Sequence, residues 1–235
     1  MIRFLHTADW QIGTQFGQFE PDEAAHLAEA RFETVRRIAE EAAARKVDAV
    51  LVAGDVFDLQ TVSDTVIRRL FGALQAFAAY ADTKVTHLKP HGALNNMAAD
   101  DADYAMAIGR AIKTVDKDII YVALYGSQMQ KAAEKLGLRL AREGFVDRKY
   151  DDDGNLASRS IPGTVLKDPK AAIENTLRMV QENEVVAMSG KRVKVNIDTF
   201  CVHGDEATGV AVAGAVRKAL EAADVKIVPL PEMKL

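Results

Sequence analysis

A single cysteine, Cys201, in 235 residues excludes an intrachain disulfide framework, and with it any zinc or iron–sulfur site built on paired thiolates within one chain. Long apolar runs are also missing. Val47–Ala53, interrupted by Asp48, falls far short of the ~20 residues that a membrane-crossing helix requires. Among the first nine residues an acid, Asp9, appears early, and no small-residue cleavage site follows an apolar stretch, so a secretory leader is not expected. These absences point to a soluble, cytoplasmic protein with no membrane contact. Positive charge is not in excess either. Lys and Arg number 30 against 34 Asp and Glu, a formal net charge of −4, which argues against a nucleic-acid surface. No Ser/Pro/Gly linker, low-complexity run or internal repeat divides the chain.

What the chain does have is a regular alternation of short apolar runs and amphipathic stretches. Strands are expected at Ile2–His6, Val47–Ala53, Val85–Leu88, Ile119–Leu124 and Leu138–Ala141, with a short β region over Val193–Asn196 and Asp198–Val202 and a last strand at Val225–Val228. Helices are expected at Asp22–Arg45, Val62–Ala79, Ala98–Val115, Met129–Leu136, Asp168–Gln181 and Thr208–Ala223. This rhythm implies an α/β fold on a mostly parallel sheet, open or closed. Residue usage changes near position 80. Before it there are seven arginines and one lysine (Lys46); after it there are eight arginines and fourteen lysines, as two joined sources would give. The expected organisation is a βαβα segment over 1–80 and a second over 81–235, continuous as one sheet.

Asp9 follows the first expected strand, and Asp55 and Asp58 follow the second. In a parallel sheet such positions share the carboxyl edge, where three acids could hold Mn²⁺, Mg²⁺ or Zn²⁺; the alternative is that they cap the elements that follow. His6-Thr7-Ala8-Asp9-Trp10-Gln11-Ile12-Gly13 and Gly54-Asp55-Val56-Phe57-Asp58 together resemble the calcineurin-like metallophosphoesterases, in their DNA-repair exonuclease branch. The resemblance covers residues 1–79 and implies phosphodiester hydrolysis with Asp9, Asp55 and Asp58 as metal ligands. Gln11 replaces the family's first-motif histidine, and the Asn-His motif and later histidines are absent. The expectation is therefore at most one weakly held divalent ion.

The rest of the chain carries three charged clusters at expected strand ends. His87-Leu88-Lys89-Pro90-His91-Gly92 combines a cation with two histidines. His91 suits acid–base work or metal ligation, while His87 reads as structural. Arg142-Glu143-Gly144-Phe145-Val146-Asp147-Arg148 sets a free-moving glycine beside a bulky phenylalanine amid charges. Arg142 and Arg148 are candidates for bidentate recognition of a carboxylate or phosphate, with Glu143 and Asp147 to orient them. Cys201-Val202-His203-Gly204-Asp205 brings His203 and Asp205 to the same edge.

These clusters, with the Tyr150–Arg159 stretch, Pro162-Gly163 and Lys167-Asp168-Pro169, resemble the LamB/YcsF family, the A subunits of 5-oxoprolinase, over residues 84–235. The resemblance implies an irregular β/α barrel of the glycoside hydrolase/deacetylase type. It also implies ATP-dependent opening of 5-oxoproline to glutamate with two partner subunits. Carried over by residue, His91, His203, Asp205 and Glu143 are the catalytic candidates, and Lys89, Arg142, Asp147 and Arg148 bind substrate or phosphate. The family's Asn-Asp-rich first strand and its Ala-Cys-Gly-Phe-His-Ala-Gly-Asp and Gly-Ala-His-Pro motifs do not occur. An acid from the first segment, Asp9 or Asp55, is expected in their place. Missing strands would leave an open edge that favours self-association. Two other readings stand beside this one: a metal-dependent phosphoesterase or nuclease remnant, and a chimeric or truncated product without activity.

Overall fold

The first crossover is built by α1 (Pro21–Ala44), which joins β1 (Phe4–Ala8) to a parallel partner, β2 (Ala49–Ala53). Pro21 at the first helical position and Asp22 and Glu23 in the first turn suit a helix start, where a missing N–H costs nothing and negative charge meets the dipole. Val35, Ala39 and Ala42 form the buried face of α1. Val35 packs with Trp10 and Ile12 into a small core that Phe32, Val52 and Leu74 border. The computed structural model describes residues 3–47, 49–53, 68–69, 71–72, 74–75, 78–79, 82–203 and 208–235.

A second parallel sheet follows, in the order β3-β4-β5-β8, from β3 (His87–Leu88), β4 (Ile120–Leu124), β5 (Leu140–Phe145) and β8 (Thr199–Cys201). Between β5 and β8 runs an antiparallel hairpin of β6 (Glu184–Val186) and β7 (Arg192–Lys194). The helices are α2 (Gly92–Asp100), α3 (Ala102–Val115), α4 (Gln128–Leu136), α5 (Pro169–Gln181) and α6 (Gly209–Ala222). All five residues of β4 are buried, as expected of a strand covered on both faces. Tyr121 and Ala123 meet Ile108, Ile112, Met129 and Ala133 from α3 and α4 in the largest core cluster. The whole is an α/β fold whose curled, mostly parallel strands make an incomplete half-barrel. Among the described residues, no helix is long and apolar enough to cross a membrane.

Among the described residues no strand pairing carries the expected continuity of the sheet across residue 80. Among the described residues β1 and β2 pair only with each other, while β3 joins β4. The two parts meet instead by packing. Arg68, Arg69, Phe71, Gly72, Leu74, Gln75, Ala78 and Ala79 are helical; Leu74 borders the core around Trp10, and Phe71 is buried with Ala98, Ala105 and Ile108.

Other boundaries shift for local reasons. The single helix expected over 98–115 is two, because the Asp101 carboxylate accepts the amides of Asp103 and Tyr104 at 2.8 and 3.1 Å and starts α3 afresh. Residues 225–228 are not a strand. Asp224 takes a left-handed conformation (φ 58°), and the amides of Asp224 and Val225 bond back to the carbonyls of Glu221 and Leu220. Val225 thus closes the C-terminus of α6 rather than opening a strand, and it packs against the Val212, Val216 and Leu220 cluster. β5 runs to Phe145, four residues beyond the expected end. Arg142 and Glu143 therefore lie within a strand, and their side chains leave opposite faces.

Candidate functional site

β3, β5 and β8 lie parallel, so Lys89, Asp147 and His203 all follow the carboxyl ends of strands. A cleft of about 1000 Å³ opens there, with Lys89, His91, Phe145, Arg148, Cys201 and His203 in its lining. Asn95 and Asn96 from α2 and the loop 155–160 complete the walls.

Two of the lining groups are backed by buried acids. Lys89 Nζ lies 2.7 Å from Glu143 Oε1 and 5.7 Å from the centre of the Phe145 ring. Glu143 is only 3 % exposed. That burial pushes its carboxyl above the ordinary glutamate value, and the Lys89 ammonium draws it part of the way back. Burial also works against the charge on Lys89, but the hydrogen bond to Glu143, with the attraction of its charge, outweighs it and lifts the lysine above its usual range. The neighbouring Cys201 thiol is pushed up by burial, so it stays protonated and a poor nucleophile at neutral pH.

His203 Nδ1 sits 2.8 Å from Asp147 Oδ2 and 3.0 Å from Oδ1, and its backbone N–H donates to Oδ2 at 3.3 Å. The imidazole stacks on Phe145, with ring centres 5.4 Å apart and planes 24° from parallel. A carboxylate accepts only, so Nδ1 carries the proton and Nε2 is the nitrogen left to accept or return one. Asp147 and Phe145 thus fix both the tautomer and the plane of the ring.

Arg148 differs from these. It is 6 % exposed, donates from Nη2 to the Ala157 carbonyl at 2.5 Å, and among the described residues has no acceptor at Nε. Burial, with Arg159 nearby, holds its guanidinium below the ordinary arginine value.

The turn that carries Asp147 and Arg148 is pinned from below. Asn175 Nδ2 reaches the carbonyls of Phe145, Val146 and Arg148 at 3.2, 3.2 and 3.3 Å, and the Tyr150 hydroxyl accepts the Phe145 amide at 2.8 Å. Neither residue is expected from the sequence. The available signal is an amide at position 175 within the buried stripe of α5, between Ala172 and Met179.

The structure gathers Lys89, His91, Arg148 and His203 at one cleft, with Glu143 and Asp147 directly behind. It puts Arg142 elsewhere. On the opposite face of β5, Arg142 Nε and Nη2 bond Asp198 Oδ2 and Oδ1 at 2.6 and 2.8 Å. Nor do the acids orient Arg148 by hydrogen bonds: Glu143 serves Lys89, Asp147 serves His203, and a backbone carbonyl holds the arginine. His91 is exposed at the start of α2, and His87 is exposed with Nδ1 3.0 Å from Thr86 Oγ1. Asp9 follows β1 in a left-handed conformation (φ 48°) and is not part of the cleft lining. Asp55, Asp58 and Asp205 lie outside the described residues. Among the described residues no group of three or more His, Cys, Asp or Glu is placed to hold a metal ion. Of the three acids expected to hold a divalent ion, Asp9 is the one within the described residues.

The calcineurin-like phosphoesterase profile matches residues 2–89, and the LamB/YcsF family profile matches residues 56–235, so the two overlap over 56–89. A 5-oxoprolinase A subunit from Rhodopseudomonas palustris is 50% identical over 158 residues, which are 67% of this chain and 62% of that protein. One from Nitrobacter hamburgensis is 47% identical over 163 residues, 69% of this chain and 64% of that protein. The chain thus spans less than two thirds of the length of the curated relatives it matches. The crystal structure of a lactam utilization protein from Thermus thermophilus superposes with a TM-score of 0.68 at 31% identity, over 97% of this chain and 99% of that one. That structural match extends over nearly the whole chain, whereas the matches to these two relatives cover about two thirds of it. By profile, by identity and by fold, the chain belongs to the LamB/YcsF family.

Proposed function

We propose that this chain is a protein of the 5-oxoprolinase A-subunit type, opening the lactam of 5-oxoproline to glutamate at the expense of ATP together with two partner subunits. The observation that carries this reading is the His203–Asp147 pair at the cleft, 2.8 Å apart, beside the Lys89–Glu143 pair at 2.7 Å. A lactam amide resists hydrolysis because its carbonyl is a weak electrophile and its nitrogen a poor leaving group. ATP, when bound, would supply the activation of that carbonyl, its terminal phosphoryl group ending as inorganic phosphate. In this chain, His203 Nε2 takes the proton from a water that attacks the ring carbonyl carbon. The same nitrogen then delivers a proton to the ring nitrogen as the C–N bond breaks, leaving a carboxylate and an amine. Asp147 stabilises the imidazolium between the two steps. The Lys89 ammonium, held in place by Glu143, faces the negative oxygen that develops on the tetrahedral carbon. His91, also in the cleft lining, is a second candidate for the proton transfer.

The phosphoesterase reading has less support. It needs Asp9, Asp55 and Asp58 together with an Asn-His motif, and that motif is missing from the sequence. The deciding assay measures glutamate release that depends on both ATP and 5-oxoproline, with the two partner subunits added, for the intact chain and for His203→Ala, Asp147→Asn and His91→Ala. Activity in the intact chain that disappears in His203→Ala and falls steeply in Asp147→Asn is the expected result. Full activity in His203→Ala would remove this residue from the chemistry. A stable complex of the intact chain with its partners that releases no glutamate would overturn the proposed function.

A further inference from the structure

The cations at the cleft are not treated alike. Lys89 has Glu143 behind it and His203 has Asp147, whereas Arg148, about as deeply buried as either acid, has no carboxylate within ion-pairing distance among the described residues. A buried charge left unpaired is costly, and native structures keep such groups where something else supplies the counter-charge. Arg142 shows what the complete arrangement looks like in this same chain: its Nε and Nη2 edge is filled by the two oxygens of Asp198. The equivalent edge of Arg148 is anchored at Nη2 by the Ala157 carbonyl, and its Nε is buried with no acceptor among the described residues.

We infer that Arg148, with Arg159 also in the cleft lining, is the anchor for an anionic oxygen pair of the bound ligand, a carboxylate or a phosphate. Three further observations bear on this. Arg148 and Arg159 both line the cleft, so the positive charge borders the space a ligand would fill. α2 begins at the cleft with no side-chain cap from His91, and its first amides add partial positive charge to the lining. The Arg148 guanidinium is held below its ordinary value by burial and by Arg159, a penalty that a bound anion would relieve. The planar fork of an arginine selects a two-oxygen anion in a fixed orientation, which a lysine at the same place would not do. Assigning the anion as the ring carboxylate of 5-oxoproline rests on the proposed function. The anion site itself does not.

The test is calorimetric titration of the intact chain, without partner subunits, by three probes: 5-oxoproline, inorganic phosphate, and 2-pyrrolidinone, the same lactam lacking a carboxylate. Each is repeated with Arg148→Lys and Arg159→Gln. Arg159 is exposed, so its variant keeps the test open if Arg148→Lys fails to fold. The expected result is that the anion that binds does so at least about tenfold more weakly in Arg148→Lys, because the fork is lost while the charge is kept. A smaller loss is expected in Arg159→Gln, and 2-pyrrolidinone should bind far more weakly than 5-oxoproline. Arginine-dependent binding of 5-oxoproline identifies the carboxylate. Arginine-dependent binding of phosphate without any of 5-oxoproline would keep the anion site and sink the 5-oxoproline reading. Wild-type affinity for the anion in both variants, or no binding of either anion to the intact chain, would overturn the inference.

Discussion

Arg142 and Arg148 come from one charged stretch of sequence, yet they end on opposite sides of the strand that carries them. On the outer face of β5, Arg142 meets Asp198 through two side-chain bonds, while the Asp198 carboxylate also accepts the Arg142 amide at 2.9 Å. On the cleft side, beyond the strand end, Arg148 has a single carbonyl. Among the described residues one arginine is closed by a carboxylate and the other is not. The same residue type, six positions apart, is thus placed differently according to whether it lies within the strand or in the turn beyond it, and to what the neighbouring segment offers.

The largest effect that would sharpen this contrast is on activity. Arg148→Ala is expected to lower ATP-dependent glutamate release by about a hundredfold or more, the scale of a substrate held out of position. Arg142→Ala, assayed well below its melting temperature, should stay within about twofold of the intact chain, since no bond of the cleft passes through it. Equal losses in both would erase the distinction between the two faces. Next in size is stability. Asp198→Ala leaves the Arg142 guanidinium, with 29% of its side chain exposed, without its partner and should cost about 2 kcal/mol in denaturant unfolding. Arg148→Lys should cost less than this, because it keeps the positive charge and breaks no ion pair among the described residues.

A smaller effect is expected at Gly144, the glycine that follows Glu143 in β5. A Cβ there would meet Ile197 Cγ2 at 3.1 Å and Met179 Sδ at 3.2 Å. Gly144→Ala should therefore destabilise by about 1 kcal/mol through crowding, and a neutral result would mean that Ile197 yields freely. The smallest effect lies in the pH dependence. Burial raises the Glu143 carboxyl above its ordinary value of 4.5, so the folded chain holds that proton more tightly than the unfolded one. Its contribution to stability is complete below pH 4.5 and is lost as pH rises through the raised value. Thermal melts of Glu143→Gln should show a flatter decline than the intact chain over that interval, and parallel curves would contradict it.

Much of the architecture is legible in local pattern. The strand centred on Val122 and the helices after it are apolar at the right period, and Gly137, with φ 66°, ends α4 as a helix-stopping glycine does. The cleft residues are also legible as types, since cations and histidines recur after strand ends. The partnerships are not. Glu143 with Lys89 and Asp147 with His203 are contacts between residues far apart in sequence, set by how β3, β5 and β8 stack in register. Arg142 reads from the sequence as a residue beyond a strand end, whereas β5 continues past it. The outer face tolerates the charge because Asp198 neutralises it. Asn175 escapes a sequence reading because its purpose, three carbonyls on another element, has no trace in the helix that bears it.

The helical residues around position 71 have a consequence for how the chain comes apart. Leu74 belongs to the core around Trp10, and Phe71 to the core around Ile108. The same positions fall inside the 56–89 overlap, where the profiles of both families match. No strand pairing crosses between the parts among the described residues, and this shared element is a mechanical coupling that those residues do show. Pulling the chain from its N-terminus should therefore not peel off the first βαβ unit in isolation. The force arrives at Phe71 and is passed to the larger core, and a single rupture should be recorded, splitting into two in Phe71→Ala.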